Sequence, residues 1–99
     1  MKNITNSEFN EAVKSNKNVI IQFSADWCGP CKQLTPILDN FANEREDVTV
    51  FKVDVGEETD LATQYKVKSI PKLVFFKDGI QKNEKIGLIN AEKLTEIIS

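Results

Sequence analysis

The sequence predicts an α/β fold in one domain, residues 1–99, whose mixed central sheet combines a parallel βαβ unit with an antiparallel hairpin. Three observations lead there. A β-branched run, "NVIIQFSAD", gives way from Leu34 to apolar residues at helical spacing; a second β-rich run, "VTVFKVD", follows; and Asp78-Gly79 separates two further strand-like runs.

The elements follow in chain order. Thr5 with Glu8 three residues on forms a capping box, Ile4 and Phe9 can staple the entry, and Phe9, Ala12 and Val13 give the helix its apolar face. In the first predicted strand Val19, Ile21, Phe23 and Ala25 point one way and Ile20, Gln22 and Ser24 the other, which suits a central strand buried on both sides. Leu34, Ile37, Leu38, Phe41 and Ala42 then mark a long amphipathic helix ending at the polar "NEREDV", with Pro36 predicting a kink. The strand "VTVFKVD" completes a βαβ unit with parallel strands and a right-handed crossover. A short helix through Leu61, Ala62 and Tyr65 leads to a strand opened by Ile70-Pro71, the Asp78-Gly79 hairpin, and a last helix capped by Asn90 and carrying Ala91, Leu94, Ile97 and Ile98.

A formal charge of −2, with acids and bases interspersed, offers no basic stripe for nucleic acid or an anionic membrane. The acidic runs "NEREDV" and "GEETD" read as solvated helix ends. The first ten residues have no apolar h-region and no apolar run is long enough to span a bilayer, so the expectation is a soluble, cytoplasmic protein.

Cys28 and Cys31, the two cysteines, lie where the first predicted strand enters its helix. As a staple the pair is badly placed, since closing so short a loop restricts the unfolded chain by only about 2 kcal/mol. A structural zinc site wants about four Cys or His ligands, and the chain has no histidine and no second cysteine pair, so no metal is expected. A redox centre fits better: a sulfur at a helix N-terminus faces unsatisfied N–H groups and the positive end of the dipole, which lowers a thiol pKa. An i,i+3 pair holds its Cα atoms roughly 5 Å apart, within disulfide range. Cys28, nearer the loop, is the candidate nucleophile and Cys31 the resolving thiol. Pro30 stiffens the first helical turn without removing a hydrogen bond the helix would use.

"ADWCGPCK", "SIPKLVFFKDG" and "KIGLINAEKL" together resemble the thioredoxin family over essentially the whole chain. The resemblance implies the thioredoxin fold, its sheet packed between helices, and a monomeric protein-disulfide reductase with no bound cofactor beyond the redox-active Cys28–Cys31 disulfide. It also implies recycling by thioredoxin reductase, a flavoprotein using NADPH, and disulfide-containing proteins as substrates. Trp27, Gly29 and Pro30 would rim the docking surface, Lys32 would follow the active-site turn, Ile70 would offer strand-like hydrogen bonds to substrate before a cis Pro71, and Gly87 would let substrate backbone approach, with Ser69 and Leu88 completing the rim. Gly-Pro between the cysteines resembles reducing members; an oxidase or isomerase of the same fold, or a binding subunit without redox turnover, are the alternatives.

Departures from the family pattern are informative. Many thioredoxins carry a buried aspartate six residues before the nucleophile, thought to take the proton of the resolving cysteine, and here Gln22 stands there. Lys52 matches the lysine that accompanies that aspartate, and Asp54, on the same strand face, is a replacement partner for it. These three residues are the candidate proton-transfer environment, in which Cys31 would be deprotonated by water or by a group held near Lys52. Lys72 follows the proline where the family more often has a small polar residue; a cation there would favour acidic targets or stabilise a Cys28 thiolate. Ser24, where many relatives have an aromatic, leaves less bulk behind the loop.

Overall fold

The computed structural model describes residues 1–98. Its elements are β1 (Lys2–Asn3), α1 (Asn6–Lys14), β2 (Asn18–Ser24), α2 (Gly29–Glu44), β3 (Val48–Asp54), α3 (Thr59–Gln64), β4 (Lys72–Lys77), β5 (Ile80–Ile86) and α4 (Ala91–Ile98). The five strands form one sheet in the order β1-β3-β2-β4-β5. β2 runs parallel to β3 and antiparallel to β4, and β4 runs antiparallel to β5, so the predicted βαβ unit and hairpin share the central strand β2.

The two faces of β2 separate the core as the alternation requires. Val19, Ile21 and Phe23 meet Phe9 and Val13 of α1, Leu61 of α3, and Val74 and Phe76 of β4. Ile20 on the other face meets Leu34, Leu38 and Phe41 of α2, Leu94 of α4, and Leu73 and Phe75. The sheet is therefore packed between two layers of helices. Leu38 has no exposed surface. Leu38→Ala is expected to cost about 2–5 kcal/mol, read as a lower urea midpoint at unchanged slope.

Local signals set the element ends. Thr5 N donates to Glu8 Oε1 at 3.0 Å and the Thr5 hydroxyl to the same oxygen at 3.2 Å, which holds the Glu8 carboxyl below the usual carboxylate range. Asn90 caps α4 by accepting from Lys93 N at 2.9 Å. Asp78 and Gly79 both adopt positive φ, 53° and 81°, the requirement of a tight hairpin turn between β4 and β5.

Two features differ from expectation. β1 was not predicted: two polar residues carry no apolar alternation, and they become a strand only because the outer edge of β3 accepts Lys2 and Asn3 opposite Phe51 and Lys52. Lys72, expected as a cation beside the docking loop, is instead only 4% exposed. Its ammonium donates to the Tyr65 carbonyl at 2.7 Å and lies 3.3 Å from Glu84.

Candidate functional site

Strand register brings three loops to one end of the sheet. Phe23 lies opposite Lys72, so the chain leaving β2 toward Cys28 passes beside Pro71 as it enters β4. Lys72 lies opposite Ile86, which puts Gly87 next to Pro71, and Gly87 N donates to Pro71 O at 2.8 Å. Gly87 has φ +95°, and nothing lies within 4 Å of where a Cβ would stand; the backbone conformation, not crowding, selects glycine. The Ile70–Pro71 peptide is cis, and Ile70 enters none of the backbone hydrogen bonds outside helices and strands among the described residues.

Cys28 is the N-cap of α2, with extended backbone (φ −91°, ψ 111°), and Pro30 falls in the first turn. The disulfide joins Cys28 to Cys31 with Cα atoms 5.3 Å apart. Cys28 Sγ accepts a hydrogen bond from Cys31 N at 3.2 Å. A reduced Cys28 sulfur in that place would receive an N–H donor and the positive end of a sixteen-residue helix, both of which favour thiolate. The two cysteines are nearly enclosed, at 5% and 2% exposure, whereas Trp27 beside them is 79% exposed. So large an exposed indole next to a reactive loop suits contact with another macromolecule.

Behind the disulfide, Gln22 is fully buried. Its Nε2 donates to the Cys31 carbonyl at 3.2 Å and its Oε1 accepts from the Thr35 hydroxyl at 3.4 Å; that hydroxyl also lies 3.0 Å from the Cys31 carbonyl. The amide thus ties β2 to the first turns of α2, the satisfied polar role open to a neutral side chain in a core. Thr35 was not singled out from sequence, although a threonine four residues after a cysteine in a helix can bond back to its carbonyl.

Lys52 lies opposite Gln22 in the sheet and borders a cleft of about 180 Å³ with Asp54, Asp26, Glu57 and Glu58. No ion pair joins Lys52 to Asp54 among the described residues; Asp54 Oδ1 instead accepts from Gly56 N at 2.8 Å and Glu57 N at 3.1 Å. Ser24, also fully buried, stands opposite Asp54. No group of three or more His, Cys, Asp or Glu side chains among the described residues is placed to hold a metal ion.

A helix-capping disulfide beside a cis-proline turn and an exposed indole defines a protein of dithiol–disulfide exchange. Comparison with known proteins narrows the class. The thioredoxin family model matches residues 1–99. A thioredoxin of Mycoplasmoides gallisepticum is 40% identical over 99 residues, covering 99% of both chains. One from Rickettsia prowazekii is 41% identical, covering 98% of this chain and 94% of its own. Among solved structures, a mutant thioredoxin from Halobacterium salinarum superposes with TM-score 0.92 at 37% identity, covering 98% of this chain and 86% of the other. The oxidised mitochondrial thioredoxin 3 of Saccharomyces cerevisiae does so with TM-score 0.89 at 35% identity, covering 99% and 92%. The chain belongs to the thioredoxin family. Its function is that of a thiol-disulfide oxidoreductase acting on protein disulfides, with a redox-active cysteine pair, and a binding role without turnover is not favoured.

Proposed function

We propose that Cys28 is the nucleophile and Cys31 the resolving thiol of this reductase. The Cys28 thiolate attacks one sulfur of a target disulfide, forming a mixed disulfide and releasing the other sulfur as thiolate. Cys31 then loses its proton and attacks Cys28 Sγ, closing the Cys28–Cys31 disulfide and releasing the second target sulfur; two electrons and two protons have passed to the substrate. The observation that carries this reading is the Cys31 N–H donated to Cys28 Sγ at the start of α2. Trp27, Gly29 and Pro30 form one side of the docking surface, Ile70 and Pro71 pair with an extended substrate segment, and Gly87 leaves room for its backbone. Gln22, Lys52 and Asp54 surround the route by which Cys31 is deprotonated.

The cycle closes with electrons from NADPH, delivered by a flavoprotein thioredoxin reductase to a monomer in the cytoplasm. Family membership supports both a reductase partner and disulfide substrates in general. Insulin reduction with NADPH and a thioredoxin reductase, followed across pH, tests the scheme. Catalytic NADPH consumption that needs this protein is expected; turnover that stays at the reductase-only background would overturn it.

A further inference from the structure

A second groove opens beside the cis-proline turn, at the opposite end of α3 from Glu57 and Glu58 of the acidic cleft around Lys52. It has a volume of about 550 Å³ and is bordered by Tyr65, Lys66, Lys68, Lys72, Glu84 and Ile86. Lys72 and Glu84 lie 3.3 Å apart and offset each other, while Lys66 and Lys68 are exposed and belong to no ion pair among the described residues. On a chain of formal charge −2 the groove thus carries two uncompensated cations. It also continues the docking surface: Lys68 is two residues from Ile70, and Ile86 precedes Gly87.

The backbone at Lys66 adds an independent sign. Lys66 has φ +54°, just past the end of α3, fixed by Lys66 N donating to Thr63 O at 3.1 Å and Val67 N to Ala62 O at 2.9 Å. Glycine takes such a position without steric cost, and a lysine there keeps its side chain at the expense of that ease. Part of the gain is the cation's attraction to the negative end of the short helix. Lys68, beyond the helix, does not need that explanation.

We propose that this groove selects disulfide substrates bearing carboxylates close to the attacked cysteine, with Lys66 and Lys68 as the specificity-determining residues. A substrate segment paired with Ile70 lies beside Lys68, two residues away in the chain, and Lys66 borders the same groove. The carboxylates Glu57 and Glu58 lie before the first residue of α3, at the opposite end of that helix from Lys66 and Lys68, so the two ends of α3 carry opposite charge. Lys72 takes no part in this selection, since its ammonium is occupied by the Tyr65 carbonyl and Glu84.

The inference rests on the reductase reading above, and the test separates the two. Three disulfide peptides, identical except for Glu, Gln or Lys at the flanking positions, are reduced by the pre-reduced full chain in single turnover at low salt, with Trp27 fluorescence as signal. The Glu peptide is expected to react about three- to tenfold faster than the Lys peptide, a ratio that falls toward one in high salt. The double variant K66E/K68E should invert the ratio. A ratio unchanged by the double variant would overturn the inference, including the case where the variant only melts earlier because the end of α3 lost the Lys66 cation. Failure of the natural chain to reduce even the Gln peptide would overturn the reductase reading instead.

Discussion

Cys31→Ser is expected to trap the chain on its substrate, while Cys28→Ser captures nothing. Removing the resolving thiol leaves the attacking sulfur and its surroundings in place, because the donor to Cys28 Sγ is the backbone N–H of residue 31 and serine keeps it. The first exchange then proceeds, the second cannot, and a mixed disulfide accumulates that survives non-reducing electrophoresis and is released by dithiothreitol. Turnover of insulin should fall to background in both variants. The trapping variant also isolates the nucleophile's titration. Alkylation of its lone thiol should rise with pH to a midpoint below the value of about 8.5 for a free cysteine, since helix N-terminus and N–H donor both favour thiolate. A midpoint at or above the free value would remove the physical basis for assigning the nucleophile to Cys28. Capture by Cys28→Ser but not by Cys31→Ser would reverse the two roles.

What could be read in advance divides by sequence distance. The capping box of α1, the Asn90 cap, the Asp78-Gly79 turn and the cysteine pair at the start of α2 depend on residues within a few positions of one another, and all are found where local chemistry puts them. The two-sided burial of β2 was legible because alternation reports both faces at once. β1 was not, because its pairing is with residues about fifty positions away and its own side chains are polar. Lys72 was legible as unusual but not as buried: its two partners, Tyr65 just past α3 and Glu84 of β5, are brought to it only when the chain folds back and β4 pairs with β5. The cis state of Ile70–Pro71 followed from family resemblance alone; taken by itself, proline at a strand start favours trans.

Gln22 belongs to both groups. The missing carboxylate was visible in the sequence, but the amide's bond to the Cys31 carbonyl was not. Gln22→Asp is expected to change stability and reduction rate in opposite senses. A carboxylate here is fully buried and, unlike the amide, cannot donate to that carbonyl while ionised. Burial disfavours the charged form, so the folded-state pKa of the new carboxyl lies above the unfolded value of about 3.9. The folded state then binds more protons than the unfolded one as pH rises past about 4, and stability is progressively lost until the folded pKa is passed. With a shift of roughly two to three units, the variant should lose about 3–4 kcal/mol more at pH 8 than at pH 4, relative to the natural chain over the same range. Urea unfolding of the oxidised proteins at both pH values measures it. A stability difference that does not grow with pH would show that the carboxyl is solvated or already paired, with Lys52 the cation opposite it in the sheet. Reduction should move the other way: once ionised, the carboxylate can accept the Cys31 proton that Gln22 cannot, so single-turnover release of the mixed disulfide should accelerate above the raised pKa. Gln22→Ala, which removes an amide that is no base, should leave that step little changed while lowering stability by about 1–3 kcal/mol through the lost bonds to Cys31 and Thr35. A large loss of rate in the alanine variant would mean that Gln22 positions Cys31 for the proton transfer as well as holding the helix to the sheet.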